Sequence, residues 1–85
     1  MSLTPLTTPR ARTLVTDALH HVVPDADVDG LGDDLPFRPE LELDSLDFLS
    51  FVETLSTTSG VRIDERDYPA LTTIASCVQF LTGQG

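Results

Sequence analysis

Three times along this chain apolar residues recur at spacings of three and four, and no alternation in twos is sustained long enough to compete. A period near 3.6 belongs to helices and a period of two to strands, so the pattern demands amphipathic helices that bury their stripes against one another. The first stripe is Ala11, Leu14, Val15, Ala18, Leu19 and Val22. Thr8 is placed to cap it, Pro9 suits the first helical position, where a missing N–H costs nothing, and the helix ends before Pro24. The second stripe is Phe48, Phe51, Val52 and Leu55, at i, i+3, i+4 and i+7. Its helix begins at Asp44 or Ser45, with Asp44 and Asp47 at the positive end of the dipole, and Thr58-Ser59-Gly60 closes it with Gly60 as a left-handed cap. At about 1.5 Å per residue it spans roughly 22 Å. The third stripe, Ile74, Cys77, Val78 and Leu81, starts near Thr72 or Thr73. Between the last two, Val61 and Ile63 lead into residues 64–68, room for one short helical turn before Pro69.

The expectation is an all-α fold, a small four-helix bundle of three longer helices and one short one, with a long loop between the first and second helices. The bundle takes residues 8–82, with a flexible leader at 1–7 and a flexible end at 83–85. The loop, residues 24–43, holds three prolines, two glycines and half of the chain's fourteen acids. A connection of that length needs anchors in a compact domain. Leu31, Leu35, Phe37, Leu41 and Leu43 supply them, so the loop packs across the helix ends.

Eighty-five residues suffice for one domain, and a core this small leaves no room for a separate cofactor fold. Fourteen acids against five Arg and no Lys give a net charge of −9, which argues against nucleic acid and for basic protein partners. No run approaches the length of a membrane span and no secretory signal opens the chain, which points to the cytoplasm. Cys77 stands alone and lies on an apolar stripe, the place of a core residue rather than a nucleophile. His20 and His21 end the first helix, where imidazolium complements the negative dipole end.

The sharpest local feature is Ser45. Counting about 100° per residue, Leu46 falls opposite the stripe of its helix, Leu49 at the stripe's edge and Glu53 near Leu46 on the outer face. Ser45 thus comes at an exposed helix N-terminus beside an outward leucine and two acids, Asp44 and Asp47. Such a hydroxyl is open to another enzyme, and a phosphate on it would meet unpaired backbone N–H groups. The plainer reading is that Ser45 caps the helix and Leu46 is one more exposed leucine.

Leu43-Asp44-Ser45-Leu46-Asp47, followed by Gly60-Val61-Arg62-Ile63 and residues 67–74, resembles the acyl carrier proteins of fatty-acid, polyketide and related assembly lines. The resemblance covers residues 35–81. It implies that Ser45 carries a 4′-phosphopantetheine arm, that Asp44 presents this serine to a phosphopantetheinyl transferase, and that Leu46, Leu49, Asp47 and Glu53 dock acyl-loading and acyl-transferring enzymes through their basic surfaces. It implies a monomer with no catalysis of its own. Three departures stand out: Ser50, Ser56 and Thr57 where fatty-acid carriers tend to have glutamates, Asp64 where a proline is common, and the two large rings of Phe48 and Phe51. Those rings would shorten or block a channel for a long acyl chain, which suggests short or polar cargo.

Two alternatives compete. Asp25, Asp27, Asp29 and Gly30 match the first half of a calcium loop, yet Pro36 stands where its bidentate glutamate belongs. A weak calcium site in residues 25–34 is the most that pattern supports, and no specific metal site is expected. An unmodified acidic adaptor would use the same charge and the same Leu46.

Overall fold

The computed structural model describes residues 6–83, in which α1 (Thr8–Val22), α2 (Phe37–Glu40), α3 (Ser45–Ser59), a 3-10 helix (Glu65–Ala70) and α4 (Ile74–Thr82) follow in that order. No strand occurs among the described residues. The architecture is the expected helical bundle, and one turn of helix, α2, lies inside the segment expected to be loop.

All three stripes face inward. On α1, Ala11, Leu14, Val15, Ala18 and Leu19 are buried, while Val22 at its end is half-buried. Phe48, Phe51, Val52 and Leu55 of α3 are buried, as are Ile74, Cys77 and Leu81 of α4, with Val78 half-buried at the margin. The helix α1 packs against both α3 and α4 and forms the centre of the bundle.

Helix ends follow from short-range hydrogen bonds. Thr7, not Thr8, caps α1, accepting from the Arg10 amide at 3.2 Å. Pro9 consequently occupies the second helical position, where its missing N–H is equally harmless. The expected 1–7 leader falls outside the described residues at 1–5, whereas Leu6 packs against the core. At the other end Gly83 caps α4, and residues 84 and 85 lie outside the described residues. Thr73 caps α4 by accepting from the Ser76 amide at 3.0 Å, and the Ser76 hydroxyl takes the Thr73 amide in return at 2.9 Å. The 3-10 helix runs through Pro69 instead of stopping before it. The end of the helix leaves the Pro69 carbonyl without an intrahelical partner, and the Thr72 hydroxyl donates to it at 2.8 Å.

The long loop packs. Val28, Leu31, Phe37 and Leu43 are buried and Leu41 is half-buried. Leu35 is a correction to the sequence reading: it stands 44% exposed, because the adjacent backbone is held elsewhere. The Asp33 carbonyl accepts from the Ala75 amide at 3.1 Å, Phe37 donates to Thr72 at 3.1 Å, and Arg12 pairs with Asp33. These bonds tie residues 33–37 to α1 and to the start of α4, and they satisfy an N–H that helix α4 leaves without an internal partner. The radius of gyration, 12.1 Å, matches the roughly 12 Å of a chain this long folded without a projecting loop.

Candidate functional site

The chain reaches Ser45 through a reversal at the end of α2. Leu43 donates to the Arg38 carbonyl at 2.8 Å and Glu42 to that of Pro39 at 3.3 Å, the pair of bonds that closes a helix through one left-handed residue. That residue is Glu42, at φ 54°. The reversal buries Leu43 and turns Asp44 and Ser45 out to solvent.

Asp44 then caps α3. Its Oδ1 accepts from the Asp47 amide at 2.8 Å, and Ser45 is the first helical residue. The Ser45 hydroxyl is exposed and takes part in no side-chain hydrogen bond among the described residues. The reading in which Ser45 serves merely as the cap is thereby removed, since Asp44 holds that position.

The outer face of α3 follows the angular count. Leu46 is 74% exposed, Leu49 lies at the stripe's edge at 39%, and Glu53 is exposed one turn beyond Ser50. Asp47 is half-buried, its own amide bound by the cap.

On the other side of Ser45 lies a groove of about 550 Å³ that the sequence did not reveal. Phe48, Tyr68 and Leu71 line it, and Arg38, Pro39 and Leu49 border it. Behind it runs a chain of rings: Phe37 to Phe51 at 5.1 Å edge-on, Phe51 to Phe48 at 6.1 Å, and Phe48 to Tyr68 at 5.3 Å edge-on. The Arg38 guanidinium sits 4.8 Å from the centre of the Phe48 ring. A 3.6-period reading places Phe48 and Phe51 on the buried face of α3, but the groove also needs α2 and the 3-10 helix, whose approach no sequence spacing encodes.

Other chemical groups are accounted for elsewhere. Cys77 is buried, and loss of hydration pushes its thiol up to about 12, so the nucleophilic thiolate does not form near neutral pH. Asp27 accepts from the Gly30 amide at 3.0 Å within its own turn. Among the described residues no three His, Cys, Asp or Glu side chains converge on a metal site.

Comparison with known proteins agrees with this arrangement. Residues 10–81 match the phosphopantetheine attachment site family. The solution structure of an Anaplasma phagocytophilum protein assigned as an acyl carrier protein shares the fold, with a TM-score of 0.82 over 98% of this chain and 97% of that one, at 16% identity. No curated protein sequence matches the chain. From α1 through α4 the matched region takes in both the helical bundle and the solvent-facing serine, and the chain belongs to the phosphopantetheine attachment family, carrier domains that bear this group covalently and are not themselves enzymes.

Proposed function

We propose that this protein is an acyl carrier whose phosphopantetheine is attached to Ser45 and whose cargo is passed among the enzymes of a fatty-acid, polyketide or related biosynthetic route. The observation that carries the proposal is the Ser45 hydroxyl, exposed at the first residue of α3 and left unengaged because Asp44 takes the cap. The surroundings fit the group: the hydroxyl opens on a groove within the range of about 300 to 1,000 Å³ typical of small-molecule sites. Loading joins Ser45 Oγ to the pantetheine-side phosphorus of coenzyme A. The pyrophosphate bond breaks, adenosine bisphosphate leaves, and the hydroxyl proton passes to a base on the transferase.

Once bound, the group supplies a thiol that holds an acyl chain as a thioester. The chain's own residues supply the address. Asp44 fixes the first turn of α3 and so holds Ser45 at one place on the surface. Leu46 and Leu49 offer apolar contact, Asp47 and Glu53 offer charge, and a docking contact of modest affinity permits release after each transfer. A net charge of −9 favours partners with basic surfaces, chiefly through encounter rate and partner choice. In this reading the protein works as a cytoplasmic monomer. Phe37, Phe51 and Phe48 fill the space behind the groove, which favours short or polar cargo over a long chain threaded into the bundle.

Incubation with coenzyme A and a broad-range phosphopantetheinyl transferase, followed by intact mass, tests the assignment. Wild type gains the mass of one phosphopantetheine and Ser45→Ala gains nothing. Equal labelling of both, or no adduct on wild type, ends the proposal. A structure of the loaded protein with a long acyl chain enclosed in the core would refute the cargo class alone.

A further inference from the structure

Among the described residues the groove beside Ser45 contains one charged side chain, and it is a cation in a strongly acidic molecule. Arg12 pairs with Asp33, and Arg62 and Arg66 flank Asp64 at 3.5 and 3.6 Å. Arg38 belongs to none of these ion pairs among the described residues, although Glu40 and Glu42 are close in sequence. Its guanidinium lies instead over the Phe48 ring, 4.8 Å from the centroid. Phe48 follows Ser45 by three residues, which on a helix puts the two side chains about 5 to 6 Å apart at Cβ. Pro36 and Pro39 bracket Arg38 and restrict the backbone that carries it.

We infer that Arg38 is a positioning residue for the prosthetic group: it pairs with the phosphodiester on Ser45 and turns the arm along the Phe48–Tyr68 side of the groove. This inference rests on Ser45 as the attachment point. A phosphodiester keeps one negative charge at neutral pH, and the planar guanidinium matches two of its oxygens with two parallel N–H donors. Bracing over an aromatic ring limits the freedom that Arg38 would lose on pairing. The opposite course, out across α3, would turn the phosphodiester from Arg38 towards Asp47, which repels it. Lying in the groove, the arm leaves Leu46 and the outer face of α3 uncovered for partner enzymes.

The test compares unloaded and phosphopantetheine-loaded protein by NMR for wild type, Arg38→Gln and Arg38→Lys, with intact mass run on each sample. Loading wild type shifts the Arg38 side-chain N–H and the Phe48 and Tyr68 ring signals, and gives cross-relaxation between the Tyr68 ring and the geminal methyls of the arm. Arg38→Gln loads to the same mass but loses the ring shifts and the cross-relaxation. Arg38→Lys keeps part of both, and about 1 M salt, where the screening length falls to about 3 Å, weakens them in wild type. A wild-type adduct that leaves Phe48 and Tyr68 unmoved overturns the inference while sparing the carrier assignment, as does full retention of the contacts in Arg38→Gln. Failure of the Ser45 adduct overturns both. Circular dichroism of the unloaded variants separates loss of the clamp from loss of the fold.

Discussion

Glu42 holds a left-handed backbone, φ 54°, that carries the chain from α2 into the turn before Ser45. A side chain in this conformation costs about 1–2 kcal/mol through the clash of Cβ with its own peptide, whereas glycine adopts it freely. Glycine returns roughly 0.5–1 kcal/mol of that gain through the greater freedom of its unfolded chain. Relief of strain is the larger effect, so Glu42→Gly should stabilise the protein by a few tenths to about 1 kcal/mol, and Glu42→Val, branched at Cβ, should destabilise it. Urea unfolding midpoints at constant slope measure both, and a Glu42→Gly variant less stable than wild type would show that the Glu42 side chain makes a compensating contact. The same residue shows what the sequence conceals. An acidic residue gives no signal of positive φ, so neither the reversal nor its effect on Asp44 and Ser45 could be read from composition or spacing.

Elements long enough to show their period were legible, and those held by tertiary contacts were not. Helix α3 has fifteen residues, so its stripe, its outward Leu46 and its Gly60 stop all follow from the sequence pattern. Helix α2 has four residues, less than two turns, and is held by Phe37 in the core and by the bond from Phe37 to Thr72. No periodicity can announce it. Val28 stands alone among acids and is buried, while Leu35 looks equally apolar and is exposed, because backbone bonds at residues 33 and 37 set which side of the loop faces inward. The groove beside Ser45 depends on α2 and stayed hidden with it. The ends of α3 are accessible to a test at this scale. Gly60 sits at φ 74°, and a Cβ built there meets nothing within 4 Å, so the cost of Gly60→Ala comes from the backbone alone, about 1 kcal/mol. Asp44→Ala removes the acceptor of the Asp47 amide and should cost about 1 kcal/mol, while Asp44→Asn keeps that acceptor and most of the stability. Urea titration of the three variants checks these values. If Asp44→Ala unfolds like wild type, the cap is not what holds the first turn of α3, and the free Ser45 hydroxyl needs another explanation.

Over the whole molecule a single property, net charge, bears on folding and, if the proposed partners are basic, on encounter with them in opposite directions. Nine excess negative charges on 85 residues repel one another, and most acids are exposed or half-buried at the surface. The ion pairs are exposed as well: the Arg62 and Arg66 side chains retain 90% and 85% of their accessibility, so they contribute little, at most about 1 kcal/mol each, against that repulsion. Among the described residues the core that resists it contains no buried polar or charged residue, and it is not weakened by screening. Added salt should therefore stabilise the fold by relieving self-repulsion, because the interactions it weakens are the minor ones. The same screening removes the long-range attraction between an acidic carrier and a basic partner surface, which raises encounter rates by about 10 to 1,000-fold where steering operates. Between about 0.02 and 0.5 M NaCl the thermal midpoint of the unloaded protein should rise while the second-order rate of Ser45 loading falls on the order of tenfold, after correction for the salt response of the transferase on a short, uncharged serine-containing acceptor peptide. Differential scanning calorimetry and a stopped loading assay followed by intact mass give the two quantities on one sample series. A midpoint that falls with salt would mean that the ion pairs outweigh the repulsion. A loading rate indifferent to salt would mean that Leu46 and shape, rather than charge, select the partner.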